Sequence, residues 1–551
     1  MKQLLYFHTL RYLRPVQIAG RLWRLVYRPG ITLEAPPPLR SLSGAWHTAC
    51  ERSSLMLDAN TFRFLNVTGS LQSVADWDDP GRLRLWRYNL HYFDDLNSQG
   101  ASARAGWHSA LISRWIEDNR PGIGTGWEPY PTSLRIVNWI KWAWCRKAQG
   151  VGGLDAQALD SLACQVRWLS RNMEVHLLGN HLWANAKALV FAGAFFDGPE
   201  AGRWLKNGLA LLERELHEQI LLDGGHFERS PMYHAIVLED VLDVINLASV
   251  APDCFSTAFP QRLRIVAADM LHWLRVMSHP DGGIALFNDA AFEIAPDHEA
   301  LAGYAARLGV PFKTQALKAV EALPDSGYIR LQNDRAVVIC DIALVGPDYL
   351  PGHAHADTLS FELSLDGQRV LVNGGTSTYE PDAERQRQRS SPAHNTVTVD
   401  GMDSSEVWGG FRVARRARVF AQSWGVDGAR LWLQAAHDGY RRLPGKIIHH
   451  RRWVLENTGL AIEDNLEGDF TMATTKWHLY PGLEAKRGDG GNIIVNAASV
   501  AGKKNQISFV TSAQVAVQAT TWHPEFGLSM DNISLTTDFQ GQTHAMRLQW
   551  Q

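Results

Sequence analysis

The hydrophobic period of the chain changes once, near residue 324, and that change limits the fold more than any other feature. From residue 102 to 308, apolar residues recur every three or four positions. The segments 103–119, 133–148, 157–174, 182–196, 201–220, 233–249 and 260–278 all follow this spacing, which puts one apolar face on a helix. Gly- and Pro-rich stretches such as 120–126 and 279–283 separate them. Beyond 324 the period falls to two. Leu359, Phe361, Leu363 and Leu365 alternate with Ser360, Glu362 and Ser364, which predicts a half-buried strand. Segments 368–373, 395–400, 412–424 and 429–436 also read as strands, and short strands between Gly and Asp turns continue to the end. A chain of 551 residues exceeds the ~250–300 that one core supports. The expectation is a helical arm over 1–60, a domain of stacked helical hairpins over 61–323 closing into a ring or solenoid, and an antiparallel β-sandwich over 324–551.

Composition excludes several classes. The formal net charge is −3, so bulk charge does not drive nucleic-acid binding; an acidic polymer would be held by local Arg, Lys and His. The five cysteines are far apart, form no CxxC pair and are odd in number, which suits free thiols in a reducing compartment. The first 28 residues form a basic amphipathic stretch without the continuous apolar run of a signal peptide, and no uncharged apolar run reaches the ~20 residues of a membrane span. Cytoplasmic residence is the default expectation, with the periplasm as the alternative. A few of the 21 tryptophans are expected to line a sugar-binding cleft, the rest to fill cores.

The densest chemistry lies in Gly352-His353-Ala354-His355-Ala356-Asp357, at the entrance of a strand. In an extended chain His353 and His355 point the same way, a common metal half-site, against the plainer reading of two loop histidines. His394, in Ser391-Pro392-Ala393-His394-Asn395, sits at another strand mouth, and Asn373 precedes Gly374-Gly375. His355, Asn373 and His394 form a candidate metal site, although an Asn before Gly-Gly is more often a turn residue. In the helical half, Asn180 and His181 open one helix and Tyr233 lies in the first turn of another, after Ser230-Pro231. Arg385, Arg387 and Arg389 alternate; in an extended segment they would present three guanidinium groups on one side to carboxylate or sulfate.

Taken in order, Gly179-Asn180-His181, Ser230-Pro231-Met232-Tyr233-His234, His279-Pro280-Asp281-Gly282-Gly283, the Gly352–Phe361 run and Ser390–Val397 resemble the heparinase II/III family of polysaccharide lyases. The segment Trp86-Arg87-Tyr88-Asn89-Leu90-His91-Tyr92-Phe93 further resembles members associated with bacterial surface polysaccharides. The resemblance implies an incomplete α/α toroid followed by an antiparallel β-sandwich, with the cleft between them. It implies that Asn180 or His181 neutralises a uronate carboxylate and that Tyr233 and His353 are catalytic. It also implies that His355 and His394 match the zinc ligands of metal-bearing members. The family's third ligand is an Asp; this chain has Asn373.

The chemistry implied is β-elimination on an acidic, uronate-containing glycan. A base removes the weakly acidic C5 proton, hydrogen bonds stabilise the charge that develops on the carboxylate, and an acid protonates the leaving oxygen. Free Tyr has a pKa of about 10, so Tyr233 is expected to act as base only beside positive charge; His353 is the alternative base. Two other readings compete. A glycoside hydrolase would need two carboxylates across the bond, drawn from Glu128, Asp223, Glu228 or Asp289. A glycan-binding protein would keep the fold without turnover.

Overall fold

A computed structural model describes residues 2–488, 491–498 and 504–550. Helices Ala105–Asp118, Pro129–Ala148, Ala156–Arg171, Gly179–Phe195, Gly198–Gln219, Pro231–Val250, Ala258–Val276 and His298–Arg307 build the N-terminal part. Gly179–Phe195 and Pro231–Val250 are buried almost all round, so they form the inner wall against which amphipathic helices pack. Glycine sets one of these contacts: a Cβ on Gly193 would lie 2.5 Å from the Leu205 backbone nitrogen of the next helix, closer than packed atoms approach. A short hairpin, Thr61–Phe64 with Val67–Ser70, sits in this half with no counterpart in the sequence expectation. Before it come two N-terminal helices, α1 (Lys2–Leu10) and α2 (Pro15–Val26). Among the described residues no helix is long and apolar enough to cross a membrane.

The C-terminal part consists of antiparallel sheets. A five-stranded sheet runs in sequence order from Val320–Leu323 to Gln368–Leu371. An eight-stranded sheet runs from Val419–Asp427 at one edge to Glu484–Arg487 at the other, and a four-stranded sheet holds Val397–Val399 at its edge. Their inner faces share one core, with Phe361 and Leu363 from the first, Trp453 and Leu548 from the second, and Trp477 and Leu535 from the third. The strand Phe361–Leu365 departs from its expectation. Its polar positions are buried too, because the helical part covers the outer face. Glu362 there meets His279 Nε2 at 2.9 Å and accepts from the backbone N–H groups of Leu286 and Asn373. A buried carboxylate needs such partners, and these ones join the two halves.

Burial of histidines has a pH consequence. It pushes the imidazolium pKa of His226 down to about 4 and that of His234 to about 3. Burial and then Arg135 bring His91 to about 3, and burial and then Arg369 bring His279 to about 4. Folded values below the ordinary 6.5 mean that the folded state binds fewer protons in this window. Stability is therefore complete above about pH 6.5 and declines as the pH falls toward the folded values, each group costing roughly 1–2 kcal/mol by pH 5. Asp341 and Asp357, raised by burial, work the other way but are outnumbered. The melting temperature is expected to fall between pH 7 and pH 5; a flat or rising profile would refute this account.

Candidate active site

A cleft of about 2300 Å³ runs along the seam between the two halves. From the helical side it is lined by Asn180, His181, Tyr130 and Tyr233, and from the sheet side by His353, Tyr379 and Phe411. Local sequence chemistry places Tyr233 and Asn180. Ser230 caps the helix Pro231–Val250, its hydroxyl accepting from the Tyr233 N–H at 3.3 Å, with Pro231 in the first turn. Arg229, just before the cap, has a left-handed φ of 58°, and Leu178, just before Gly179-Asn180, one of 65°. Non-glycine residues hold such angles at a cost of about 1–3 kcal/mol, which the surrounding contacts must offset. Gly179 is itself constrained, since a Cβ there would lie 2.4 Å from Leu350 and 3.0 Å from Glu228.

Tyr233 and His353 come from opposite halves and stack face to face, ring centroids 3.9 Å apart and planes 16° from parallel. The Tyr233 hydroxyl meets the Tyr379 hydroxyl at 3.0 Å. His353 Nδ1 is hydrogen-bonded to the Glu228 carboxylate, and Nε2 makes no hydrogen bond among the described residues. Burial alone would push Glu228 up, but His353 outweighs it and the carboxyl lies below its ordinary range. Glu228 is thus an anion that accepts from His353 Nδ1–H and fixes the orientation of the imidazole ring. Burial, and then Tyr379, raise the Tyr233 phenol well above 10. The Arg385 guanidinium is close enough to feel the Tyr233 phenol, but burial outweighs it and the phenol rests neutral. Opposite, Asn180 bonds the Tyr130 hydroxyl, and the His181 ring lies 4.5 Å from Tyr130. Burial would lower the His181 pKa, but Glu174, 3.1 Å from Nδ1, outweighs it and raises it.

The arginine expectation fails. Residues 383–389 form a helix, Ala383–Arg389, capped by Asp382, so the three side chains do not share one side. Arg385 and Arg389 are fully buried. Arg385 pairs with Asp289 through both guanidinium nitrogens, one at 2.7 Å, and Arg389 donates to the Ala354 carbonyl. Arg387 pairs with Glu384 on its own helix. None of the three lines the cleft. An alternating Arg-Gln pattern is compatible with strand or helix, and Asp382 as N-cap decides for helix.

His355 and His394 do meet, Nδ1 to Nε2 at 3.2 Å, and both are buried. Asn373 is buried nearby in the chain path, with its Oδ1 facing the Asn395 N–H at 3.4 Å and its Nδ2 without a partner. This set does not suit a zinc ion. It offers two neutral imidazoles and an amide, with no anionic ligand for a doubly charged ion. The neighbouring carboxylate, Asp289, is committed to Arg385 and to His355 Nε2 at 2.8 Å. Among the described residues no three His, Cys, Asp or Glu side chains cluster as a metal site. The network instead positions His353, whose carbonyl accepts from the Asp289 N–H at 2.9 Å while Asn288 Oδ1 accepts from the His355 N–H.

The carboxylates considered for hydrolysis are also engaged. Asp289 and Glu228 are buried in the pairs above, Asp223 caps Ser326, and Glu128 holds Tyr88 and Arg84. They form no facing pair across the cleft. Sequence reasoning missed Tyr379 entirely and assigned Glu228 to another role. Tyr379 follows no helix or strand signal, and its place depends on the two halves closing.

Two family models match the chain: the Heparinase II/III N-terminus over residues 155–301 and the Heparinase II/III-like C-terminal domain over residues 315–551. The chain belongs to the heparinase II/III-like family. It is 26% identical over 321 residues to a heparin-sulfate lyase of Bacteroides stercoris, a match covering 53% of this chain and 45% of that relative, so it spans under half that relative's length. It is 25% identical over 489 residues to the FtsZ-localized protein C of Caulobacter vibrioides, covering 81% of this chain and 77% of that one. Among solved structures, a heparinase III superposes with a TM-score of 0.66 at 17% identity over 98% of this chain and 85% of that one. That likeness speaks for the fold: a helical toroid followed by antiparallel sheets.

Proposed function

We propose that the protein is a polysaccharide lyase that cleaves a uronate-containing glycan by β-elimination. The observation that carries this reading is the stacked Tyr233–His353 pair, one ring from each half, with Glu228 on the far nitrogen of the imidazole. His353 Nε2 takes the C5 proton. The electron pair moves toward the uronate carboxylate, where Asn180 and His181 donate hydrogen bonds to the growing charge. The C4–O4 bond then breaks and the neutral Tyr233 hydroxyl protonates the leaving oxygen. The products are one fragment ending in a 4,5-unsaturated uronate and another with a new reducing-end hydroxyl, with no water added. Tyr379, hydrogen-bonded to Tyr233, steadies the phenolate until solvent returns its proton.

The cleft's charge bears on the substrate. Among the described residues its lining has no lysine, and its cations are Arg24, Arg52, Arg63, Arg84, Arg275 and Arg330. Arg52 pairs with Glu239 and Arg84 with Glu128, while Arg330 donates to the carbonyls of Val276 and Ser278. Carboxylates including Glu51, Asp94, Glu293 and Glu299 share the lining, while Asp281 is paired with Arg369. A densely sulfated polymer would meet repulsion here, so a sparsely charged uronan is the better fit. The test is ultraviolet absorbance from the conjugated uronate on paired sulfated and unsulfated polymers. A signal on unsulfated members supports both parts of the reading, and a signal confined to sulfated ones overturns the second. Glycan binding without any signal across the panel would overturn the first and favour a binding protein.

A further inference from the structure

The N-terminal helix α2 is amphipathic in reverse. At 3.6 residues per turn, Val16, Ile18, Ala19, Leu22, Trp23, Leu25 and Val26 occupy one half of its surface, while Gln17, Gly20, Arg21 and Arg24 occupy the other. In a soluble protein the apolar half faces the core. Here the polar half faces inward at Gln17, Gly20 and Arg24, with Arg21 exposed at its edge. Gln17 is buried and donates to the Tyr349 carbonyl at 3.1 Å. Gly20 sits so close to His176 that a Cβ would lie 2.7 Å away, and Arg24 reaches the cleft. At the helix start Arg14 lies over the Tyr349 ring and pairs with Glu218. The apolar half is in solvent: Leu22 is 61% exposed, Trp23 59%, Leu25 72% and Val26 76%. Helix α1 adds exposed Leu4, Tyr6, Phe7 and Leu10, and is tied to the sheet half by the Tyr6–Trp408 ring contact and the Trp408 indole bond to Thr9. This is a concentrated apolar patch of a kind that marks an interaction surface.

Charge identifies what covers it. The first 33 residues hold six Lys and Arg and no Asp or Glu, in a chain whose formal net charge is −3. Lys2, Arg11, Arg21 and Arg28 make no ion pair among the described residues, and all four are exposed. We infer that α1 and α2 dock the protein on an anionic lipid surface, the apolar face entering the headgroup–acyl boundary and the four exposed cations meeting lipid phosphates. Interfacial helices bind by this combination of apolar burial and basic flanks, without spanning the bilayer. The inward half of α2 borders the cleft, because Arg24 lines it, and Trp408, which α1 contacts, precedes the cleft residue Gly409.

Sedimentation of the full chain with phosphatidylcholine vesicles, with and without phosphatidylglycerol, tests this. The chain is expected to pellet with the anionic vesicles, more weakly with neutral ones, and less as salt is raised. The double variant Leu22→Glu/Leu25→Glu and the charge variant Arg21→Glu/Arg28→Glu should each weaken partitioning by roughly tenfold or more, with thermal melting unchanged because all four side chains are exposed. Absence of pelleting with anionic vesicles, or equal pelleting of wild type and both variants, overturns the inference. So does self-association that Leu22→Glu/Leu25→Glu abolishes in a chain that ignores vesicles, which would assign the face to a second copy.

Discussion

Replacing Tyr233 with Phe is expected to lower turnover by about 10³-fold or more while glycan binding stays near the wild-type level. The variant removes one hydroxyl and keeps the ring that stacks on His353, so the fold and the imidazole's position survive. The hydroxyl is the only acid that the pair supplies, and without it the leaving alkoxide must take its proton from solvent. Because the loss falls on a step beyond binding, kcat should drop with little change in KM. Residual turnover within tenfold of wild type would remove Tyr233 from the acid's role. His353→Ala gives the companion measurement, an equal loss from the base side. Glu228→Gln should act more mildly, by loosening the ring's orientation rather than removing the base, and it should change the pH–rate profile.

The second large effect concerns stability. Asp289→Ala should cost roughly 3–5 kcal/mol in denaturant unfolding, the usual result of breaking a buried ion pair from one side. Arg385 would be left as an unpaired cation with no exposed surface, and His355 would lose the partner of its Nε2. Burial alone would raise the Asp289 carboxyl, but Arg385 outweighs it and holds it far below its ordinary range, a sign of how tightly the pair is coupled. A double replacement of Asp289 and Arg385 by apolar residues should recover much of the loss, since no charge is then stranded. If Asp289→Ala melts like the wild type, the buried network does not hold the seam together. The His353 loop should loosen with it, because the Asp289 N–H bonds the His353 carbonyl.

Much of this arrangement was legible from residue types alone. The change of period near residue 324 separates helices from strands because side-chain geometry repeats every 3.6 residues in one and every two in the other. Ser230-Pro231 announced the helix that carries Tyr233, since a capping hydroxyl and an N-terminal proline are local requirements. His353 was visible as a histidine held in a loop between a glycine and a core strand.

What the sequence left open depended on contacts between segments far apart in the chain. Residues 383–389 are capped locally by Asp382, but Arg385 is buried because Asp289, nearly a hundred residues earlier, waits inside for it. The strand with Glu362 is buried on both faces because the helical half supplies His279 and closes over it. Tyr379 and Glu228 join the site only when the two halves meet, one against Tyr233 and the other against His353. The sequence by itself determined the periodic elements, their caps and the reactive residue types, since those rest on interactions within a few residues. The tertiary structure decided which polar groups are buried, which nitrogen of His353 meets Glu228 and that the Tyr233 phenol rests neutral, since burial and charge at a site are set by everything packed around it.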